Sequence, residues 1–312
     1  MPAVFESILP IFLLIAAGNL LRRFPGVDNA AWPGLEQLGF WFLYPALLFV
    51  TIVNADFSGL GLDALFAALL AAIALMIVLL LALWPPLRAS GLVARSQYSS
   101  LFQTGLRWNG FMALAIAEEL FPPAGAAVVA LVMAVIIVPV NAASVLVVTR
   151  FAQTGGGWRR VFRGLALNPL ILASLAALAV RWQPFGLYGP LNETLDLVGR
   201  AALGMGLLAI GAGLRPGDVL RPRLSMWIAV ALKLAVFPLL LISIAVGFGV
   251  RGPELHYLGL CAAVPTAMNG YLLARQLGGD AGFYAAVVTL QTAIAFFTIP
   301  LVLSVTAQLA SG

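Results

Sequence analysis

Charge is scarce in this chain: 9% of its 312 residues carry it, 62% are hydrophobic, and the mean hydropathy is +1.04. No soluble globular domain has that balance. Cysteine occurs once, at Cys261, which excludes an intrachain disulfide and a cysteine-based metal cluster; a small buried core residue is the simple reading. Histidine also occurs once, at His256, so histidine triads and paired-histidine metal motifs are absent. No two aspartates lie mid-membrane, as an intramembrane aspartyl protease would need. Composition therefore predicts no enzyme, no cofactor and no metal.

What remains is apolar length. Runs able to cross about 30 Å of hydrocarbon recur from end to end and leave no room for a soluble domain. Hydropathy and helix breakers predict ten spans, at about 4–21, 33–53, 62–84, 95–119, 124–149, 166–181, 192–212, 222–248, 254–276 and 282–307. The first carries Glu6 and no basic cluster after Met1, so it reads as a retained span rather than a cleaved signal. The longest connection contains Gly155-Gly156-Gly157 and Arg159-Arg160, the composition of a flexible basic linker.

The halves on either side of that linker match at a nearly constant shift. Pro10 and Arg22 pair with Pro169 and Arg181 at 159; Leu35-Glu36 and Gly39 pair with Leu195-Asp196 and Gly199 at 160. Asn109-Gly110 pairs with Asn269-Gly270, Ala126-Ala127-Val128-Val129 with Ala285-Ala286-Val287-Val288, and Pro139 with Pro300. A constant offset across most span pairs signals an internal repeat. Five spans per copy make the second enter the membrane from the opposite side, as in inverted-repeat transporters. The predicted units are a first five-helix repeat over 1–149, a cytoplasmic basic linker over 150–164, and a second, inverted repeat over 165–312.

Basic residues set the orientation. Of 17, 12 fall in loops after odd-numbered spans, two (Arg181 and Arg251) after even-numbered ones, and Arg107, Arg200 and Lys233 lie within spans. The positive-inside rule then puts both termini outside and the odd loops in the cytoplasm. The net charge of +5 and the pI near 9.9 follow from topology and anionic lipid, with no nucleic-acid partner.

Two spans are interrupted by residues that break helices. Val264-Pro265-Thr266-Ala267-Met268-Asn269-Gly270 removes one backbone donor at Pro265 and adds poor helix formers at Asn269 and Gly270. Arg107-Trp108-Asn109-Gly110-Phe111 carries Asn-Gly-aromatic at the equivalent offset. Unwound backbone within a bilayer is tolerated where it is buried in protein or lines a cavity, so both breaks are candidate binding sites. Half-helices starting at Asn109 and Asn269 would aim free N–H groups at the midplane, a preformed anion site; alternatively the asparagines only cap the half-helices. Arg107 could hold a carboxylate in a bidentate manner or serve broken-helix carbonyls. Lys233 could be a counter-charge, a titrating group or a partner of helix ends. Asn141, Gln291 and Thr292 divide between ligand contacts and interhelix hydrogen bonds. Pro265 and Thr266 complete the expected substrate-binding set.

The stretch from Lys233 through Pro238, Val246-Gly247, Arg251-Gly252, His256, Val264-Pro265 and Tyr271 to Pro300 resembles the auxin efflux carrier family. Tyr44-Pro45-Ala46-Leu47-Leu48-Phe49 and Asn168-Pro169 fit it too. Its plant members are the PIN auxin carriers; bacterial members include malonate- and malate-type carriers. The resemblance implies an all-α polytopic membrane protein of ten transmembrane helices, in which broken fourth and ninth helices cross where an organic anion binds. Spans one, two, six and seven would be scaffold, offering a homodimer surface, and the rest a transport part. Two departures bear on substrate. Trp108 stands where the plant proteins have proline, and the third span, Ala64 to Trp84, lacks their acidic and basic residues. A small carboxylate thus fits better than an indole acid. Carriage of that anion across the plasma (bacterial inner) membrane is the expected function. The runner-up is a sodium-coupled organic anion symporter of the bile-acid type, and an anion channel or receptor is the reading from another class.

Overall fold

The computed structural model describes residues 2–58, 60–151, 166–183 and 186–311. Most of the predicted linker, including Arg159 and Arg160, lies outside them. Twelve helices are named in chain order: α1 (Pro2–Leu21), α2 (Ala31–Asn54), α3 (Leu62–Ala89), α4 (Arg95–Leu106), α5 (Gly110–Leu120), α6 (Pro123–Phe151), α7 (Pro169–Arg181), α8 (Gly189–Gly213), α9 (Leu224–Gly247), α10 (Gly252–Ala263), α11 (Gly270–Leu277) and α12 (Ala281–Ser311). No strand occurs among the described residues. Seven helices (α1, α2, α3, α6, α8, α9 and α12) are long and apolar enough to cross a membrane. Helix α7 is apolar but has 13 residues. Helices α4 and α5 are separated by Arg107–Asn109, and α10 and α11 by Val264–Asn269.

Proline shapes the long helices. A wide π-type turn at Gly39–Leu43 precedes Pro45 in α2, and another at Leu232–Val236 precedes Pro238 in α9. A proline ring clashes with the carbonyl four residues back, and widening the preceding turn makes room for it. At the start of α7, Pro169 occupies the first turn, where its missing N–H costs nothing, and the Asn168 carboxamide accepts from Leu170 and Ile171 N–H.

Helices α1, α2, α7 and α8 pack on one another, α1 on α8 and α7 on α2 most extensively. The remaining eight pack together, with α3 against α9 and α10 against α12. Without a hydrophobic drive between helices in lipid, close approach of backbones carries such packing. At the α1–α8 crossing a side chain on Gly211 would overlap the Ile15 carbonyl. Two arginines tie helix ends across the first group. Arg22, just past α1, donates to Ala212 O at the end of α8 at 2.6 Å, and Arg181, ending α7, donates to Ile52 O and Val53 O at the end of α2 at 3.1 and 3.0 Å, and to Ala55 O. Each guanidinium meets carbonyls that a helix terminus leaves unsatisfied.

Candidate functional site

The two interruptions touch. Asn109 N–H donates to the Pro265 carbonyl at 2.7 Å, joining the unwound segment after α4 to the unwound segment after α10. Interrupting a helix frees carbonyls on its C-terminal side, and buried carbonyls need donors. Here nearly every donor is a side chain that the sequence marks as polar. Thr104 O accepts from Thr266 Oγ1 at 2.7 Å and Gln291 Nε2 at 3.1 Å, and Arg107 O accepts from Thr266 Oγ1 at 3.1 Å. Gln291 also accepts from Thr266 N–H at 3.1 Å and donates to Ala229 O of α9 at 3.2 Å. Lys233, fully buried in the wide turn of α9, donates to Ala262 O at 2.9 Å, with its ammonium 4.4 Å from the Phe237 ring centroid. Tyr284 OH donates to Ala267 O at 2.6 Å. Thr266, Gln291 and Lys233 thus satisfy the broken backbone, and Pro265 supplies one of its acceptors.

Neither glycine after the breaks has space for a side chain. A Cβ on Gly110 would lie 2.6 Å from Met133 Sδ, and one on Gly270 would overlap the Tyr284 phenol. The asparagines before them differ. Asn109 is 1% exposed, and its side-chain oxygen accepts from Met112 N–H at 3.1 Å, capping α5. Asn269 is exposed, has helical φ and ψ of −58° and −26°, and makes no side-chain cap to α11. Asn141 is half-buried two residues past Pro139 in α6, and Thr292 donates to Val288 O within α12. The crossing therefore gathers Arg107, Asn109, Pro265, Thr266, Gln291 and Lys233, while Asn269 is exposed.

Two polar side chains at the crossing remain open to a ligand. Arg107 is 7% exposed, its Nε lacks a hydrogen-bond partner, and it has no ion-pair partner among the described residues. Gln103, one helical turn earlier, is fully buried with both amide atoms unpartnered. An unpaired buried guanidinium is costly, and a carboxylate meeting it would form a charge-assisted pair. The amide could donate to the same anion. Gln103 escaped the sequence reading. Its signal is the polarity of α4, Ser96-Gln97-Tyr98-Ser99-Ser100-Leu101-Phe102-Gln103-Thr104, in a stretch buried without exception from Tyr98 to Gly110. The group of α1, α2, α7 and α8 and the crossing also meet through aromatic side chains. Tyr44 of α2 stacks on Phe111 of α5 with centroids 3.6 Å apart, and Arg215, after α8, lies 5.4 Å from the ring centroid of Tyr271 and donates to its hydroxyl at 3.2 Å.

The membrane transport protein family model matches residues 158–303, a span that includes α9 to α11 and the second interruption. Over that stretch, just under half of its length, the chain is similar to membrane transport proteins. A protein of Rhizobium meliloti (strain 1021), provisionally named a malonate transporter, is 24% identical over 300 residues, covering 89% of this chain and 88% of that protein. That similarity, with seven helices long and apolar enough to cross a membrane, supports an integral membrane protein of the transport class.

Proposed function

We propose that the protein carries a small dicarboxylate of the malonate or malate class across the plasma membrane by alternating access. The observation that carries this reading is Arg107, buried beside the crossed breaks with no carboxylate partner among the described residues. Gln103, four residues before it, and the amide of Asn109, two residues after it, complete the proposed site. Lys233, Thr266 and Gln291 hold the broken helices open around it. The name of the Rhizobium relative supports a dicarboxylate.

The proposed architecture is ten spans in two inverted repeats, 1–149 and 165–312, with α4–α5 as the fourth span and α10–α11 as the ninth. The arginine ties support it: Arg22 and Arg181 stand 159 apart, and their acceptors Ile52 and Ala212 stand 160 apart. Equivalent residues thus do equivalent work at what the repeat makes opposite faces. Both termini are outside and the linker over 150–164 is cytoplasmic. A reporter active only in the cytoplasm should light up when inserted at Gly156 and stay dark after Gly312; equal signals would reverse the topology.

In this mechanism the group around the crossing moves against the scaffold of α1, α2, α7 and α8, which also offers the surface for a homodimer. The test is counterflow in proteoliposomes. Internal unlabelled malonate or malate should drive saturable uptake of the labelled anion, with or without sodium. A channel gives no counterflow, and a strict sodium requirement would favour the symporter. Crosslinks that lock the two groups should abolish transport and leave binding measurable.

A further inference from the structure

Three arginines outside the crossing share one cavity. It measures about 500 Å³ and lies where the end of α3, the start of α4 and the end of α6 meet, lined by Arg88, Arg95, Arg150, Trp84, Val93 and Phe151 among others. No carboxylate lines it, and among the described residues none of the three arginines is in an ion pair. The nearby Asp280, whose N–H reaches Ser96 O, spends a carboxylate oxygen on Phe283 N–H at the start of α12.

Two of the guanidiniums are held in place. Arg95 donates through Nη2 to Arg150 O at 3.0 Å and lies 5.7 Å from the centroid of the Phe151 ring, and Arg88 lies 6.0 Å from that of Trp84. Like charges converging on one cavity repel, and an anion entering it removes that repulsion; fixed donors lower the ordering cost of binding it. We propose that Arg88, Arg95 and Arg150 form a binding site for a phosphate ester, distinct from the transported anion's site. A planar carboxylate is saturated by one guanidinium fork, whereas a tetrahedral phosphate offers oxygens in several directions and can engage three. The walls from Trp84 and Phe151 give the ester's organic part an apolar surface. Helix ends bearing arginine and tryptophan are where lipid headgroups lie. The ester's source is therefore a phospholipid headgroup or a soluble organic phosphate, and the two separate experimentally.

The full-length chain would be purified in detergent and titrated, by native mass spectrometry, with phosphatidylglycerol, zwitterionic phosphatidylcholine and glycerol 3-phosphate. Phosphatidylglycerol should bind in preference to phosphatidylcholine. The variant R88Q/R95Q/R150Q should weaken it by about a hundredfold, on the scale of about fivefold per arginine near an anionic surface. R88Q alone, which leaves the Arg95 bond to Arg150 O intact, should lose about fivefold and guards against misfolding of the triple variant. The exposed pair in R221Q/R223Q should leave binding unchanged. Binding of glycerol 3-phosphate with the same arginine dependence means that the phosphate suffices; binding of the lipid alone assigns the site to the membrane. No preference for phosphatidylglycerol together with no glycerol 3-phosphate binding, or full binding by both arginine variants, overturns the proposal.

Discussion

Gln291→Leu is expected to destabilise the protein more than any other single substitution among the side chains that satisfy the crossing. The leucine fills similar space, so the loss is polar. Thr266 N–H loses its buried acceptor, and Thr104 O and Ala229 O each lose a donor. The two carbonyls keep other bonds, from Thr266 Oγ1 and from Leu232 N–H. Only the Thr266 amide is stranded outright. One stranded buried donor plus two lost net hydrogen bonds amounts to about 2–5 kcal/mol. Thr266→Val, which removes one hydroxyl while Gln291 still serves Thr104 O, should cost about 1–2 kcal/mol. The measurement is thermal unfolding of the purified variants in one detergent. If Thr266→Val proves the more damaging, the network is not held through Gln291.

That ranking bears on how the site could be read in advance. Pro265 and the two Asn-Gly pairs disclosed the interruptions, because each residue type has a definite effect on helical backbone. They did not disclose how the freed carbonyls are satisfied, which depends on side chains arriving from α9 and α12. For Lys233 the sequence left several roles open; burial against the end of α10, with its ammonium on Ala262 O, selects the helix-end role. The two asparagines illustrate a different limit. They match at an offset of 160, yet the first interruption runs over 107–109 and the second over 264–269. In the shorter one Asn109 must serve as the cap of α5. In the longer one Pro265 and Thr266 take the contacts at the crossing, and Asn269 falls on the exposed turn before α11. Sequence symmetry fixed the register of the breaks and not the fate of each side chain. Gln103 was hidden for the opposite reason. One amide among the several polar side chains of α4 resembles an ordinary interhelix bond, and only the absence of a partner on both its polar atoms distinguishes it.

Arg107→Ala is expected to separate binding from stability, moving them in opposite directions. In the proposed site the guanidinium faces the substrate carboxylate, and truncating one partner of such a pair costs about 2–5 kcal/mol, or about thirty- to several-thousand-fold in affinity. The same change removes a buried charge that has no ion-pair partner among the described residues, so the ligand-free protein should melt at the same temperature or higher. Its backbone bonds to Gln103 O and from Thr266 Oγ1 survive the substitution. Arg107→Lys keeps the charge but not the planar fork, and should lose most of the affinity if the contact is bidentate. Gln103→Leu should weaken binding by about ten- to a hundred-fold with little loss of stability, since the amide has no partner to forfeit. Asn109→Ala should lose affinity by a similar factor and also destabilise by about 1 kcal/mol, because it removes the cap on Met112 N–H. Asn269→Ala, on the exposed turn, should do neither to the same degree. The readouts are malonate or malate affinity by calorimetry and melting of the ligand-free variants. A purely structural arginine predicts the reverse pattern for Arg107→Ala, with melting lowered and the affinity of the surviving folded protein unchanged; that result would move the anion site away from the crossing.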